Sequence, residues 1–165
     1  MIEETLRPIE ADDRAFVLEL NQRNVEVLSP LDPARLDALI GLADRADVVE
    51  YDGRSAGFVL TFGPGVDYDS DNYRWFSREY GPDFYYLDRI VLDEEFRRTG
   101  IGRAVYDELE RRAAAYSRMA LEVNLEPPNE GSLAFHRRRG YTEVGRLGGA
   151  GKTVALMTRE LAGPS

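Results

Sequence analysis

One stretch, residues 85–116, constrains the fold of this chain more than any other part of its sequence. It begins with the β-rich apolar run YYLDRIVL and continues into a second half that repeats apolar residues at helical spacing. Those residues are Ile101, Val105, Leu109 and Ala113. The stretch therefore predicts a strand, a turn and an amphipathic helix in direct succession.

The turn between them reads RRTGIG, with glycines at Gly100 and Gly102. A helix start leaves backbone N–H groups without intrahelical acceptors, and the helix dipole adds partial positive charge at the same place. Glycine lets a ligand approach the backbone, and Arg97, Arg98 and Arg103 add cationic donors suited to phosphate. The turn predicts a phosphate site, with an ordinary capped helix start as the alternative.

Two other nucleotide-binding patterns do not fit. A dinucleotide fingerprint G-x-G-x-x-G would need glycine at Val105. The segment GGAGKT at 148–153 looks like a P-loop, but its first required glycine falls on Arg146, and strand-like residues follow where a helix is needed. We predict a hairpin connection there.

Composition limits the chemistry. A chain of 165 residues, 43% hydrophobic and 31% charged, predicts one folded domain over 1–165. With no cysteine and one histidine, the chain has no thiolate nucleophile, and we expect no metal site. Catalysis would have to use carboxylates, hydroxyls, backbone groups and one imidazole.

The charge balance bears on partners. A net charge of −9 disfavours nucleic acid and suits a cationic amine, although acidity for solubility alone is an equal alternative. The acidic N-terminus and the lack of a long apolar run predict neither a signal sequence nor a membrane span. We expect a cytoplasmic location.

Periodicity and turn residues predict a mixed α/β fold, with a mostly antiparallel central sheet flanked by helices. An aspartate of Asp12 and Asp13 is expected to cap a first helix that reaches Val27, and a second helix follows Pro33. Asp52-Gly53 predicts a hairpin. The expected strands are Glu3–Pro8, Val48–Tyr51, Ser55–Phe62, Tyr85–Leu92, Met119–Val123, Tyr141–Leu147 and Lys152–Leu161.

Residues 63–83 form a long connection rich in aromatic and acidic residues. Such a segment is either a lid or a short helix near 73–78 whose aromatic side chains pack on the core. As a lid, it would present Asp67, Asp69 and Asp71 to an amine.

Further along, Asn129 is placed to cap a helix that ends at Gly140 in the segment NEGSLAFHRRRGY. This segment and the pattern Arg97-x-x-Gly100-x-Gly102 together resemble the GNAT superfamily of N-acetyltransferases. Matching positions in the second segment are Asn129, Ser132, Phe135, Gly140 and Tyr141. His136 departs from the pattern, since the family most often has tyrosine there.

The resemblance is strongest over residues 87–141. It implies an N-acetyltransferase that moves an acetyl group from acetyl-CoA to a primary amine of a small molecule or peptide, by direct attack in a ternary complex. Dimers are common among the proteins that this chain resembles, so a homodimer is one of the states left open by the sequence. The implied cofactor-binding residues are Ile90, Val91, Leu92, Arg97, Arg98, Thr99, Gly100, Ile101, Gly102, Arg103, Asn129 and Ser132.

Three residues are candidates for proton transfer by the same resemblance. Glu122 is the first candidate for the base, and Asp88 or an ordered water is the second. His136 would donate a proton to the departing thiolate or would only pack beside the cofactor. For Glu122 the alternative is a solvated acid, and for Asp88 it is an ion pair with Arg89 or Arg103.

A second class of function also fits these residues. A non-catalytic acyl-CoA binding or sensing module would keep the phosphate turn and lose the groups that transfer protons. The substitution at His136 keeps this alternative open.

Overall fold

The computed structural model describes residues 6–26, 28–149 and 151–161. The strands and helices, in chain order, are β1 (Leu6–Pro8), α1 (Arg14–Gln22), α2 (Pro33–Leu42), β2 (Arg45–Tyr51), β3 (Arg54–Phe62), α3 (Asp71–Tyr80), β4 (Tyr85–Leu92), α4 (Ile101–Ala113), β5 (Arg118–Glu126), α5 (Glu130–Arg138), β6 (Thr142–Gly149) and β7 (Lys152–Glu160). The strand order is β1-β2-β3-β4-β5-β7-β6 in a mixed, mostly antiparallel sheet. The predicted fold class is confirmed.

The chain divides into two compact units. The first takes the described parts of residues 1–62 and 87–109, and the second takes those of 63–86 and 110–165. The single domain over 1–165 stays a prediction. No helix among the described residues combines the length and apolar character needed to cross a membrane.

In the first unit, β1, β2 and β3 pair antiparallel. The predicted hairpin turn is confirmed, because Asp52 and Gly53 both have positive φ, 52° and 74°, as a tight primed turn requires. Strand β2 begins at Arg45, earlier than predicted. The early start was not predicted because aspartate is more typical of loops than of strands. In the structure, Asp47 is buried and accepts a hydrogen bond from Arg45 at 2.8 Å.

The start of α1 differs from the prediction in its capping. A turn of 3-10 helix, Ala11–Asp13, precedes α1, and the Asp13 carboxylate accepts the Glu10 N–H at 2.8 Å. Asp13 also accepts from Arg7 at 2.7 Å. Its side chain therefore stabilises the preceding turn and makes no cap hydrogen bond to α1. Val27 and residues 3–5, which the prediction included, lie outside the described residues.

Strands β3 and β4 approach each other closely at Gly57. A Cβ atom there would lie 2.1 Å from the Val91 carbonyl oxygen, a distance that real side chains do not reach. Glycine is therefore required at this position for β3 to lie beside the end of β4.

In the second unit, the connection after β3 contains helix α3, as one of the two interpretations predicted. Ser70 caps it by accepting the Tyr73 N–H at 3.2 Å. Tyr73 and Phe76 are buried, and the Tyr73 ring centroid lies 5.4 Å from that of Phe84 and 5.5 Å from that of Tyr86. The aromatic residues of this connection thus form a core of their own.

The sheet of this unit is β5-β7-β6, antiparallel throughout. A parallel ladder joins the start of β4 to β5 through the pairs Tyr85–Met119 and Tyr86–Ala120. Gly148 pairs with Thr153 and Gly149 with Lys152 across β6 and β7. The predicted hairpin is confirmed in place of a P-loop, and Ala150 lies outside the described residues.

The second unit also contains a buried cluster of charged and polar side chains around Glu110. Glu110 accepts hydrogen bonds from the Arg139 Nε at 3.1 Å, the Arg159 Nη1 at 2.7 Å and the Tyr141 hydroxyl at 2.8 Å. The Glu110 side chain is only 8% exposed. Removing this charge would leave two guanidinium groups with a weaker acceptor.

Glu110→Gln is therefore expected to lower the free energy of unfolding by about 2 kcal/mol, the usual scale for hydrogen bonds to charged groups. Glu160→Gln is the matched control, because Glu160 pairs with Arg118 while its own side chain is 66% exposed. The control is expected to cost about 0.5 kcal/mol. Urea unfolding of both variants measures the difference, and equal losses would contradict a special role for Glu110.

Candidate active site

The predicted phosphate turn follows a short anchor at the end of β4. Asp93 caps the 3-10 turn Glu94–Phe96 by accepting the Glu95 N–H at 3.2 Å. Phe96 is buried and packs edge-on against Tyr51, with ring centroids 6.0 Å apart. The chain thus leaves β4 along a fixed path before it reaches the arginines.

The turn itself has left-handed backbone at two places. Arg98 has φ 69° and Gly100 has φ 87°. Thr99 closes the turn, because its hydroxyl donates to the Phe96 carbonyl at 2.6 Å and accepts from the Ile101 N–H at 3.3 Å. A Cβ on Gly100 would meet no atom within 4 Å. The backbone is fixed while the space over Gly100 is open.

Helix α4 starts directly from this turn. Ile101, Val105 and Leu109 are fully buried and orient the helix, which confirms the predicted apolar spacing. The Ala104 N–H bonds to the Gly100 carbonyl at 3.2 Å, so the N–H groups of Gly102 and Arg103 belong to the first turn and have no intrahelical acceptor. Left-handed backbone beside a helix start concentrates N–H groups in a concave anion site.

Three arginines surround the turn. Arg97, Arg98 and Arg103 are exposed, and Arg97 Nη2 donates to the Leu92 carbonyl at 3.4 Å. Exposed guanidinium groups at a helix start supply the charge that a pyrophosphate needs. The observed geometry fits the pyrophosphate of acetyl-CoA.

The end of β4 alternates in burial as a strand should. Leu87, Arg89 and Val91 are buried, whereas Ile90 and Leu92 are half-buried. The family resemblance implies that Ile90, Val91 and Leu92 bind the cofactor, and this assignment stays a prediction.

Asp88 forms an ion pair with Arg89, which the sequence analysis gave as the alternative to a catalytic role. Its Oδ2 lies 2.8 Å from the Arg89 Nε, and both side chains are almost fully buried, at 6% and 5% exposure. Arg89 also donates to the Asn21 Oδ1 and to the Ser29 carbonyl, each at 3.1 Å. Asp88 therefore balances a buried guanidinium that ties β4 to the segment after α1.

Glu122 lies on β5 and is half-buried. Its carboxylate accepts hydrogen bonds from the Tyr86 hydroxyl, at 3.0 Å to Oε2 and closer to Oε1, and from the Asn72 Nδ2 at 3.0 Å to Oε1. Side chains from two strands and one helix thus meet at this carboxylate. We call this group the Glu122 cluster. Its members are Glu122, Tyr86 and Asn72.

The contact between Glu122 and Tyr86 follows from strand register. Tyr86 pairs with Ala120, and Glu122, two residues further along β5, projects from the same face as Ala120. The sequence analysis gave Glu122 no side-chain partners, and the structure supplies Tyr86 and Asn72. No sequence signal joins Asn72 to Glu122, because they are 50 residues apart and meet only through tertiary packing.

His136 lies on α5 and is buried, with 5% exposure. Its Nδ1 lies 2.7 Å from the Ser132 carbonyl oxygen, so the neutral ring carries its proton on Nδ1. Its ring packs edge-on against Tyr141 at 5.3 Å between centroids. Desolvation by burial lowers the pKa of His136 below its ordinary value, against a smaller opposing effect of the Ser132 hydrogen bond.

This shift has a consequence for stability. As pH falls below 6.5, the ordinary histidine pKa, His136 binds a proton in the unfolded chain but not yet in the folded one. The free energy of unfolding therefore decreases by up to about 1.4 kcal/mol per pH unit. The decrease ends when the pH reaches the lower pKa of the folded protein. His136→Phe should remove this contribution. Urea titrations of both proteins at about pH 7.5 and about pH 5 measure it, and an identical loss in the two proteins would contradict the shift.

Asn129 caps α5, since its Oδ1 accepts the Ser132 N–H at 3.3 Å. The predicted cap is confirmed. A further contact of Asn129 or Ser132 with a cofactor stays a prediction. Gly140 has φ 96° and ends the helix as expected.

The glycine turn before α4 and the segment capped by Asn129 lie on the elements on which the resemblance to N-acetyltransferases depends. A family model described as "Acetyltransferase (GNAT) family" matches residues 12–141, more than half of the chain. The chain therefore belongs to the GNAT acetyltransferase family, as the sequence motifs predicted.

Solved structures share the fold at low identity. Ard1 from Thermoplasma volcanium has a TM-score of 0.74 and 18% identity over 95% of this chain and 97% of its own. A ribosomal-protein-alanine N-acetyltransferase from Brucella melitensis has a TM-score of 0.67 and 19% identity over 94% and 99%. A phosphinothricin acetyltransferase from Sinorhizobium meliloti, in complex with AcCoA, has a TM-score of 0.66 and 22% identity over 96% and 88%. A search of curated proteins gives no match.

Proposed function

We propose that this protein transfers an acetyl group from acetyl-CoA to a primary amine of a small molecule or a peptide. Membership of the family supports acetyl transfer in general. The observation that carries the amine chemistry is the Glu122 cluster, in which a half-buried carboxylate on β5 is held by two neutral donors.

In this proposal, different segments of the chain bind different parts of acetyl-CoA. The turn of residues 97–103 binds the pyrophosphate with its N–H groups and arginines. The backbone of Ile90, Val91 and Leu92 holds the pantetheine arm, and Asn129 and Ser132 contact the cofactor near α5. When bound, acetyl-CoA supplies an activated acyl group whose thiolate leaves readily.

Glu122 accepts the proton in this proposal. An ammonium group has no lone pair for attack, so a base must remove a proton before or during bond formation. The Tyr86 and Asn72 donors orient the carboxylate without adding a charge beside it. Attack on the acyl carbon is direct in this proposal: with no cysteine in the chain, an acyl-enzyme would have to form on a hydroxyl group.

The other two candidates have smaller roles. Asp88 keeps the Arg89 guanidinium neutralised and holds β4 in place. His136 packs beside Tyr141, and its lowered pKa leaves the ring mostly neutral near pH 7, which suits packing better than proton donation. A thiolate needs little help from an acid when it leaves.

The acceptor in this proposal is a cationic amine. The net charge of −9 favours the approach of a cation. Among proteins of the same fold, one is named for alanine of ribosomal proteins and another for phosphinothricin. The homodimer and the cytoplasmic location remain predictions.

Release of coenzyme A from acetyl-CoA tests the proposal. Purified protein is incubated with an alanine-initiated peptide, spermidine or phosphinothricin, and the liberated thiol is titrated with a disulfide reagent. The protein contributes no background because it contains no cysteine. We expect amine-dependent thiol release and an acetylated product by mass spectrometry.

Binding of acetyl-CoA without release of thiol with any amine of a broad panel would contradict catalysis and support the acyl-CoA binding module instead. Initial rates at varied concentrations of both substrates test the direct route. Intersecting reciprocal plots are expected for a ternary complex, and parallel plots would indicate an acyl-enzyme.

A further inference from the structure

Helix α3 brings one side chain to the carboxylate that the proposed function uses as its base. Asn72 lies in the first turn of α3, and its Nδ2 is 3.0 Å from the Glu122 Oε1. The helix is fixed by the Ser70 cap and by buried Tyr73 and Phe76. Asn72 therefore projects from a rigid element toward β5.

The second donor of the cluster is equally fixed. Tyr86 is fully buried on β4, and its ring packs against Tyr73 and Phe76 at 5.5 Å and 5.9 Å between centroids. Both aromatic partners belong to α3, so the helix that carries Asn72 also packs against the ring of Tyr86. One helix thereby sets the position of both donors to Glu122.

Trp75 anchors the same helix on the sheet. A Cβ at Gly145 of β6 would lie 2.6 Å from the Trp75 Cζ2, so the indole fills the space that a side chain at position 145 would need. The contact fixes α3 on the sheet that contains β5, β7 and β6.

We infer that Asn72 is a positioning residue for acetyl transfer, which holds Glu122 in one orientation and favours its ionised form. This inference rests on the proposed function. An amide N–H donates a stronger hydrogen bond to an ionised carboxylate than to the protonated acid, which has less acceptor capacity. Loss of the donor therefore both loosens the carboxylate and makes it easier to protonate.

Two variants test the inference. Asn72→Leu removes the donor at similar size, and Asn72→Asp replaces it with a second negative charge. An aspartate in the first turn favours the helix, while its repulsion of Glu122 opposes folding, so thermal unfolding of both variants is measured and kinetics are compared below the unfolding temperature. Arg74→Leu, on an exposed site of the same helix, is the control.

We expect kcat to fall about ten-fold in Asn72→Leu and further in Asn72→Asp, with the KM for acetyl-CoA within about two-fold of the parent. The acid limb of the kcat/KM profile should move to higher pH in both variants, and Arg74→Leu should leave rate and profile unchanged. In a Glu122→Gln background, Asn72→Leu should change kcat by less than about two-fold, because the two residues act as one unit.

Suppose that the parent enzyme releases thiol with an amine and that both Asn72 variants keep its kcat and its pH profile of kcat/KM. This result would overturn the inference and leave the proposed function standing. Equal losses of kcat in the parent and Glu122→Gln backgrounds would also overturn it, since Asn72 would then act independently of Glu122. A parent that releases no thiol with any amine would instead refute the proposed function.

Discussion

Glu122→Gln is expected to lower kcat at least about 100-fold, the usual scale for loss of a general base. Glutamine keeps the shape of the side chain and can still accept the hydrogen bonds of Tyr86 and Asn72 through its carbonyl oxygen. It cannot take up a proton from an ammonium. The affinity for acetyl-CoA, measured by calorimetry, should stay within about two-fold, because the loss falls on the chemical step.

The same substitution elsewhere on β5 provides a control. Glu126 ends the strand, is exposed, and accepts the Thr153 hydroxyl at 2.8 Å. Glu126→Gln should leave kcat unchanged. If Glu122→Gln kept the parental kcat and the parental pH–rate profile, Glu122 would not be the base, and the role would pass to Asp88 or an ordered water.

Gly100→Glu is expected to weaken acetyl-CoA binding at least about 100-fold, because a carboxylate placed in an anion site opposes the pyrophosphate by several kcal/mol. The left-handed φ of 87° adds strain of about 1 kcal/mol in any L-residue. Calorimetric titration of the folded variant measures the affinity.

Gly53→Glu separates these two effects. Gly53 also has a positive φ, 74°, and a Cβ there would meet no atom within 4 Å, as at Gly100. Its replacement carries the same strain and charge but lies in the β2–β3 turn. Retained binding in Gly53→Glu with loss in Gly100→Glu supports the phosphate turn; equal affinities in the two variants would refute it.

Local signals in the sequence predicted much of the fold. The hairpin at Asp52-Gly53, the cap at Asn129 and the glycine turn before α4 depend on residues a few positions apart, where backbone preference decides the structure. Hydrophobic spacing predicted α4 because its buried face repeats at helical intervals. The family resemblance added the acetyl-CoA assignment, which no local rule supplies.

Polar residues whose environment depends on burial or on tertiary contacts were harder to predict. Asp47 looks like a loop residue but is buried in β2 against Arg45. One of Asp12 and Asp13 was expected to cap α1, yet the Asp13 carboxylate pairs with Arg7 and accepts a hydrogen bond within the turn before the helix. The contact of Asn72 with Glu122 has no local signature, since it depends on how α3 packs. Asp47 has its partner two residues away, but a carboxylate is uncommon inside a strand, whereas the partners of Asp13 and Asn72 are set by the packing of the fold.

The measurement that tests the central claim most directly is a calorimetric titration of the purified protein with acetyl-CoA, with ATP as the control ligand. Binding of acetyl-CoA in the micromolar range or tighter, and none of ATP, is the predicted result. A folded protein that fails to bind acetyl-CoA would contradict the assignment of residues 97–103 as a pyrophosphate site.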